Sequence, residues 1–272
     1  MTDREDSEAS LGGFSTVDAS ASPTTLVRLL DVMSESAAER KRRTHALMGL
    51  APGMTALDVG CGTGDDVRAL AEIVGTRGLA IGVDRSETML AVARDRAAGS
   101  ANQVYVRANA TDLCLGSESV DAARCERILE HTRDPGRAVR ELARVVRRGG
   151  SVVVYEPDWG GLLLDVPSPT TAAVLAAVAS RIESASVGRE LRRHLADAGL
   201  TEIAIVPDVW TLTSYEVASD LLRLDLTLEA AVRAGTLTRE AAADWLVRAR
   251  MAGSADRFFA ALTFFTATGV KS

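Results

Sequence analysis

Aromatic residues are scarce in this chain. Phe, Trp and Tyr make up 4% of 272 positions, so a place where they gather carries more weight than usual. Cysteine is rarer: Cys61, Cys114 and Cys125 lie far apart with no CxxC spacing. That argues against a disulfide framework and against a metal site, and predicts three small buried apolar residues. Positive charge is not in excess; the formal net charge is −6, with no long basic run. A nucleic-acid partner is therefore not expected. No stretch approaches the roughly 18 apolar residues of a membrane span. The opening MTDREDSEASLGG lacks the positive flank and apolar core of a secretory signal, which predicts a cytoplasmic protein.

What is present is ample core material, 47% hydrophobic, arranged in two periods. Residues 1–13 are expected to be a disordered tail, and 14–50 a helical cap. In that cap Ser22 and Pro23 would open one helix, and Ser36 with Glu39 would form a capping box for a second. The basic run Arg40 to Arg43 then reads as a solvated helix face. From Pro52 onward short apolar runs alternate with helical patterns: MTALDVG, GLAIGVD, NQVYVRANA, SVDAARCERI and SVVVYEP as strands, with Ser86 and Asp134–Pro135 as helix starts and Gly149–Gly150 as a helix stop. That alternation predicts an α/β fold, a Rossmann-like doubly wound, mostly parallel sheet. The expected division is a ligand-binding core at 51–160, an inserted lid helix at 161–186, and completion of the core at 187–272. A helical stretch at 214–251 would add to the lid. RFFAALTFFTATG reads as a last strand or a helix–strand corner, its phenylalanines as core.

The first strand runs into LDVGCGTGDD, where glycines recur as G-x-G-x-G. A dinucleotide loop wants G-x-G-x-x-G and receives a pyrophosphate on the helix N-terminus. Here Asp65 stands where the third dinucleotide glycine belongs, and an acid there repels a pyrophosphate. A nicotinamide dehydrogenase is thus the weaker reading. A ligand with a cationic sulfonium and an amino-acid end fits better, with Asp58 facing an ammonium. Asp84, closing the second strand, can accept hydrogen bonds from both ribose hydroxyls. Asp65 and Asp66 also favour the helix N-terminus, by about 0.3–1 kcal/mol each.

Four further segments complete a pattern: GVDRSETML, RANATDLCLGSESVDAA, ERILEHTRDPGRAVRELARVVRRGG and SVVVYEPDW. Together with LDVGCGTGDD they resemble the motifs of the class I S-adenosylmethionine-dependent methyltransferases, in order, over about residues 40–160 and more weakly 187–210. The resemblance is to the small-molecule branch that includes ubiquinone and menaquinone C-methyltransferases. It implies S-adenosyl-L-methionine as cofactor and a small-molecule acceptor. Asp58, Gly60, Cys61, Gly62 and Gly64 would shape the methionine side. Asp84 would hold the ribose, Arg85 or Met89 would pack near adenine, and Cys125 and Glu126 would line the methionine side. The family's usual Gly-Asp-Ala is Ala108-Asn109-Ala110 here, so Asn109 and Ala110 would meet adenine through an amide in place of a carboxylate.

Methyl transfer needs alignment, desolvation and, for a protonated acceptor, a base. Candidate bases are His131, Tyr155 and Glu156, with Asp158 and His194 behind them; His194, amid arginines, reads as solvated. Phe14, Arg127, Asp158 and Trp159 are candidates for acceptor binding. Two other classes stay open at this point. One is a protein of this fold that binds the cofactor without transferring methyl, as a rearrangement catalyst or regulatory partner. The other, a nucleic-acid methyltransferase, is disfavoured because CERI stands where the Asn/Asp-Pro-Pro-aromatic motif belongs. The three cysteines do not reproduce the arsenite methyltransferase thiol set. A monomer or homodimer is expected.

Overall fold

The computed structural model describes residues 38–272. The predicted tail, Phe14, the Ser22–Pro23 helix start and the Ser36 half of the capping box lie outside the described residues. Five strands pair in parallel: β1 (Thr55–Val59), β2 (Leu79–Asp84), β3 (Gln103–Arg107), β4 (Val120–Glu126) and β5 (Val146–Pro157). Their spatial order is β3-β2-β1-β4-β5. The winding reverses between β1 and β4, which opens a crevice at the carboxyl ends of those strands, where sheets of this kind take ligands.

Three more strands extend the sheet. β8 (Ala260–Lys271) runs antiparallel beside β5, from Ser151↔Val270 to Pro157↔Phe264. It carries the short β6 (Leu163–Leu164) and the long β7 (Leu200–Leu212), both antiparallel to it. The uncertain RFFAALTFFTATG segment thus resolves mainly into a strand. Phe258 and Phe264 are buried as expected, while Phe259 is exposed.

The two faces of the sheet follow the period of two. Leu57, Val59, Ala123, Cys125, Val152 and Val154 point to one core, closed by α4 (Pro135–Val145) and α6 (Val187–Asp197). Ala56, Ala80, Ala122 and Val153 point to the other, packed by α2 (Asp65–Val74) and α3 (Glu87–Arg96), with α1 (Ala38–Leu47) beside β5. The expected caps are present: Ser86 Oγ accepts from Met89 N at 3.2 Å, and Asp134 Oδ1 from Arg137 N at 2.8 Å. The expected glycine stop of α4 is not. The helix ends at Val145 and Val146 is already extended. Gly149 and Gly150 sit inside β5, where a Cβ on Gly150 would lie 2.3 Å from the Asp121 carbonyl oxygen.

A third core joins the remaining helices. α5 (Thr171–Ala179), α7 (Tyr215–Leu222), α8 (Leu224–Arg233) and α9 (Arg239–Ser254) gather around fully buried Trp245, whose Nε1 donates to Thr171 Oγ1 at 3.0 Å. This cluster reaches the sheet through Tyr155 and Phe264. Cys61 and Cys125 are buried, but Cys114 is exposed, against expectation. Among the described residues no helix is long and apolar enough to cross a membrane.

Candidate active site

Strand register builds the floor of the crevice. β1 and β4 align Asp58 with Arg124, and β4 and β5 align Glu126 with Tyr155. The two-residue period then puts Asp58, Arg124 and Glu126 on one face with Ala56 and Ala122. Arg124 is 1% exposed and serves three acids: Asp58 Oδ1 at 3.2 Å, Asp66 Oδ1 at 2.9 Å, and Glu126 Oε2. An isolated buried charge would be costly, so the arrangement depends on mutual compensation. The acids together hold the Arg124 guanidinium above its ordinary range despite burial. Burial pushes Asp58 up to about 7, with Arg124 acting against it. Burial also acts upward on Asp66, but Arg124, His45 and Lys41 outweigh it and hold that carboxyl well below the ordinary range.

The basic run of α1 is not a solvated face throughout. Arg42 and Arg43 are exposed, but Arg40 and Lys41 turn inward. Lys41 Nζ lies 2.7 Å from Asp66 Oδ2, and His45 Nε2 lies 2.8 Å from Asp66 Oδ1. Arg40 Nη2 meets Glu126 Oε1 at 2.8 Å. Its guanidinium carbon stands 4.7 Å from the Tyr155 ring centre and 5.1 Å from that of Trp210. The Arg40 Nε is buried with no hydrogen-bond partner among the described residues.

The glycine loop forms one wall. Gly60, Gly62 and Gly64 have φ of 78°, 51° and 82°, conformations that glycine adopts without a steric cost. A Cβ on Gly60 would lie 2.0 Å from Ile128 Cδ1, and one on Gly64 2.6 Å from the Tyr105 hydroxyl. Two of these glycines are therefore also demanded by the protein's own packing. The Gly60 and Cys61 amides donate to Val83 O at 2.7 and 3.0 Å, and Gly62 N donates to Asp84 Oδ2 at 2.9 Å. Asp84 Oδ1 accepts from Ser86 N at 2.9 Å. Burial raises the Asp84 carboxyl above its ordinary value while these amides oppose the shift.

Floor and wall enclose a cavity of about 670 Å³. Of the twelve residues that the resemblance implies for the cofactor, ten line it: Asp58, Gly60, Cys61, Gly62, Asp84, Arg85, Met89, Asn109, Ala110 and Glu126. Gly64 and Cys125 do not. Cys125 is buried behind the wall, its thiol pushed up by burial and then by Glu156. Asn109 Oδ1 already accepts from Thr111 N and Oγ1, at 3.1 and 3.0 Å.

The profile of the family described as a methyltransferase domain matches residues 57–154. An uncharacterized 37.1 kDa protein from a transposon of Streptomyces fradiae is 35% identical over 243 residues, which is 88% of this chain and 69% of that protein. A demethylmenaquinone methyltransferase of Staphylococcus aureus is 38% identical over 116 residues, 43% of this chain and 48% of that enzyme. The chain belongs to the class I S-adenosylmethionine-dependent methyltransferase family. The match spans about half the length of the demethylmenaquinone enzyme. The YcgJ protein of Bacillus subtilis shares the fold, with a TM-score of 0.60 at 18% identity, covering 86% of this chain and 98% of that one.

S-adenosylmethionine is the cofactor of this methyltransferase family, and the cavity suits it. Asp84 on the wall keeps lone pairs for ribose hydroxyls, and the floor, where three acids meet three cations, suits the paired charges of an amino-acid end better than a pyrophosphate. Arg40 also lines the cavity, where its guanidinium would meet the cofactor's carboxylate.

The structure separates the residues expected to serve as base or to bind an acceptor. His131 and Arg127 line the cavity; Tyr155, Glu156, Asp158 and Trp159 do not. Tyr155 is 1% exposed, stacked on Phe264 at 5.1 Å, with its hydroxyl held above its ordinary pKa mainly by burial. Glu156 is fully buried, its oxygens accepting from Ile128 N, Leu129 N and Glu130 N at 2.9, 2.8 and 3.2 Å. Its carboxylate is a staple for the turn after β4 and has no surface on the cavity, so a role as base is corrected to a structural one. Asp158 is bound by Arg189 Nε at 2.9 Å, and Trp159 Nε1 donates to buried Glu130. His194 is 8% exposed, not solvated; its Nε2 lies 3.4 Å from Glu190 Oε2 without a hydrogen bond.

Arg40, Lys41, Arg124, Trp210 and Glu183 line the cavity without having been expected there. The arginine inside the β4 pattern SVDAARCERI was the available signal. A cation in a strand otherwise fit for burial implies a buried acid beside it.

Proposed function

We propose that the protein transfers a methyl group from S-adenosylmethionine to a small-molecule acceptor held between the turn after β4 and Trp210. The observation that carries this reading is that the glycine loop, Asp84, Asn109 and the acid floor share one cavity with His131, Arg127 and Trp210. The cofactor brings a methyl already activated on a sulfonium, so the protein has to bind, orient and exclude water. Asp84 would take the ribose hydroxyls with the lone pairs its two amide donors leave. Asp58 and Glu126 would face the ammonium, and Arg40 the carboxylate.

His131 is the candidate base for a protonated acceptor. Burial, with Arg127 and Arg85 nearby, holds its imidazole below the ordinary value of 6.5, against the pull of Glu130. A neutral imidazole at neutral pH is the form that accepts a proton. The helix α1, through Arg40 and Lys41, would serve as the lid, whereas no residue of α5 or α7–α9 lines the cavity.

The test has two parts. Release of S-adenosylhomocysteine from S-adenosylmethionine and a pool of candidate acceptors separates methyl transfer from mere cofactor binding; no release with any pool sinks the proposal. Calorimetry with S-adenosylhomocysteine then tests the site. Asp84→Ala is expected to weaken binding about a hundredfold, for two lost hydrogen bonds to a charged group, with the fold intact by circular dichroism. Unchanged affinity removes Asp84 from the site.

A further inference from the structure

We propose that the acceptor carries an anionic oxygen group, a carboxylate or phosphate, and that Arg127 receives it. The inference rests on the methyl-transfer reading of the same cavity. Arg127 has φ 56°, the left-handed region, a strained conformation that a residue with a long side chain keeps only where its surroundings hold it there. They do. The next three amides are held by Glu156, Arg127 N donates to Tyr155 O at 2.9 Å, and Ile128 is lodged against Gly60. A turn pinned from so many sides presents its first side chain in one direction.

The guanidinium is fixed as well. Arg127 Nε donates to Glu130 Oε1 at 3.3 Å. Glu130 is 1% exposed and is itself bound by Trp159 Nε1. Among the described residues the Nη1 and Nη2 groups of Arg127 have no partner, and the side chain lines the cavity. An arginine clamped at Nε with a free Nη pair suits a planar or tetrahedral oxyanion, which it meets with two donors at once.

The neighbouring charges favour the same ligand. Arg133 and Arg137 lie on the same wall. Asp134, between them, is committed to capping α4, and exposed Glu183 approaches Arg133 only to 3.4 Å. Trp210 and Ile128 line the same cavity, so an aromatic body bearing an acid group would pack on them while Arg127 takes the acid.

The experiment uses three probes of one shape on the full-length protein: 2-naphthoate, 2-naphthyl phosphate and neutral 2-naphthamide. Binding is measured by calorimetry with and without S-adenosylhomocysteine. Each anion is expected to bind about tenfold tighter than the amide, the worth of a charge-assisted pair; a preference for only one anion identifies the group. Arg127→Gln is expected to abolish the preference while leaving affinity for the amide and for S-adenosylhomocysteine unchanged. Arg127→Lys, which keeps charge but loses the Nε clamp, should restore part of it. If Arg127→Gln does not fold, exposed Arg137→Gln should reduce the anion preference about threefold. Equal affinities for the three probes, or no binding of any, overturn the proposal. So does a loss of S-adenosylhomocysteine affinity in Arg127→Gln with the anion preference intact. Failure of S-adenosylhomocysteine to bind the wild type counts against the methyl-transfer reading instead, and the probes alone still decide the anion site.

Discussion

The floor and the mouth of the cavity treat charge in opposite ways. At the floor Asp58, Asp66 and Glu126 are met by Arg124, Arg40 and Lys41, all within ion-pair distance and largely out of water. At the mouth Arg127 is paired through Nε alone, with Glu130, and keeps its Nη groups unused among the described residues, while Arg133 meets Glu183 at the surface. Buried charge has to be balanced before any ligand arrives, because no solvent is there to balance it. Charge at a wet rim is tolerated unbalanced and remains available for recognition. The floor is therefore where substitution should damage the fold, and the mouth where it should change the ligand.

The largest effect is expected at the floor. Arg124→Met leaves three buried acids short of their shared cation and should cost about 3–5 kcal/mol of stability, measured by urea unfolding. Arg137→Gln at the mouth should stay within about 0.5 kcal/mol; similar losses for the two would erase the contrast. At the seam between the regions, His131→Gln should lower turnover about a hundredfold with S-adenosylhomocysteine affinity unchanged. Because the folded imidazole titrates below 6.5, wild-type activity should persist as pH falls to that value and decline beneath it. The variant should lack that acid limb. Linkage has the same sign: the neutral buried ring stabilises the fold above pH 6.5, and this contribution is lost as pH falls toward the lower folded value. A turnover profile identical in wild type and variant would return His131 to a purely structural role. The smallest effect is expected from Glu183→Gln. It frees Arg133 from the acid it pairs with among the described residues and should strengthen 2-naphthoate binding about twofold; weaker binding would show that Glu183 helps hold the anion.

The core of the fold was legible because its signals are local. Apolar runs closed by glycine, Ser86 and Asp134 at helix starts, and an acid at the end of β2 each depend on residues within one turn or strand. The charged floor was not. Arg40 meets Glu126 across 86 positions and Arg124 meets Asp58 across 66, and no local period encodes such a pair. Glu156 misled for a related reason. An acid at the end of a strand beside the site looks the same in sequence whether it faces the cavity or turns beneath the neighbouring loop. Only the register of β4 on β5 decides, and it turns this side chain toward the amides of residues 128–130. His194 looked solvated for its arginine neighbours, but Arg192 and Arg193 face outward on α6 while His194 shares the inner stripe with Leu191 and Leu195.

The position of β8 has a consequence for how the molecule comes into being. β7 is hydrogen-bonded to no strand other than β8 among the described residues, and β8 follows every other described element in the chain. While the ribosome is still delivering α7 to α9, β7 has no sheet to join, and Trp210 has nothing to hold it beside Arg40. Insertion of β8 between β5 and β7 completes the sheet and seats Trp210 on the cavity together. A nascent chain halted ahead of Ala260 would hold the glycine loop and Asp84 while lacking the strand that seats Trp210 on the cavity wall.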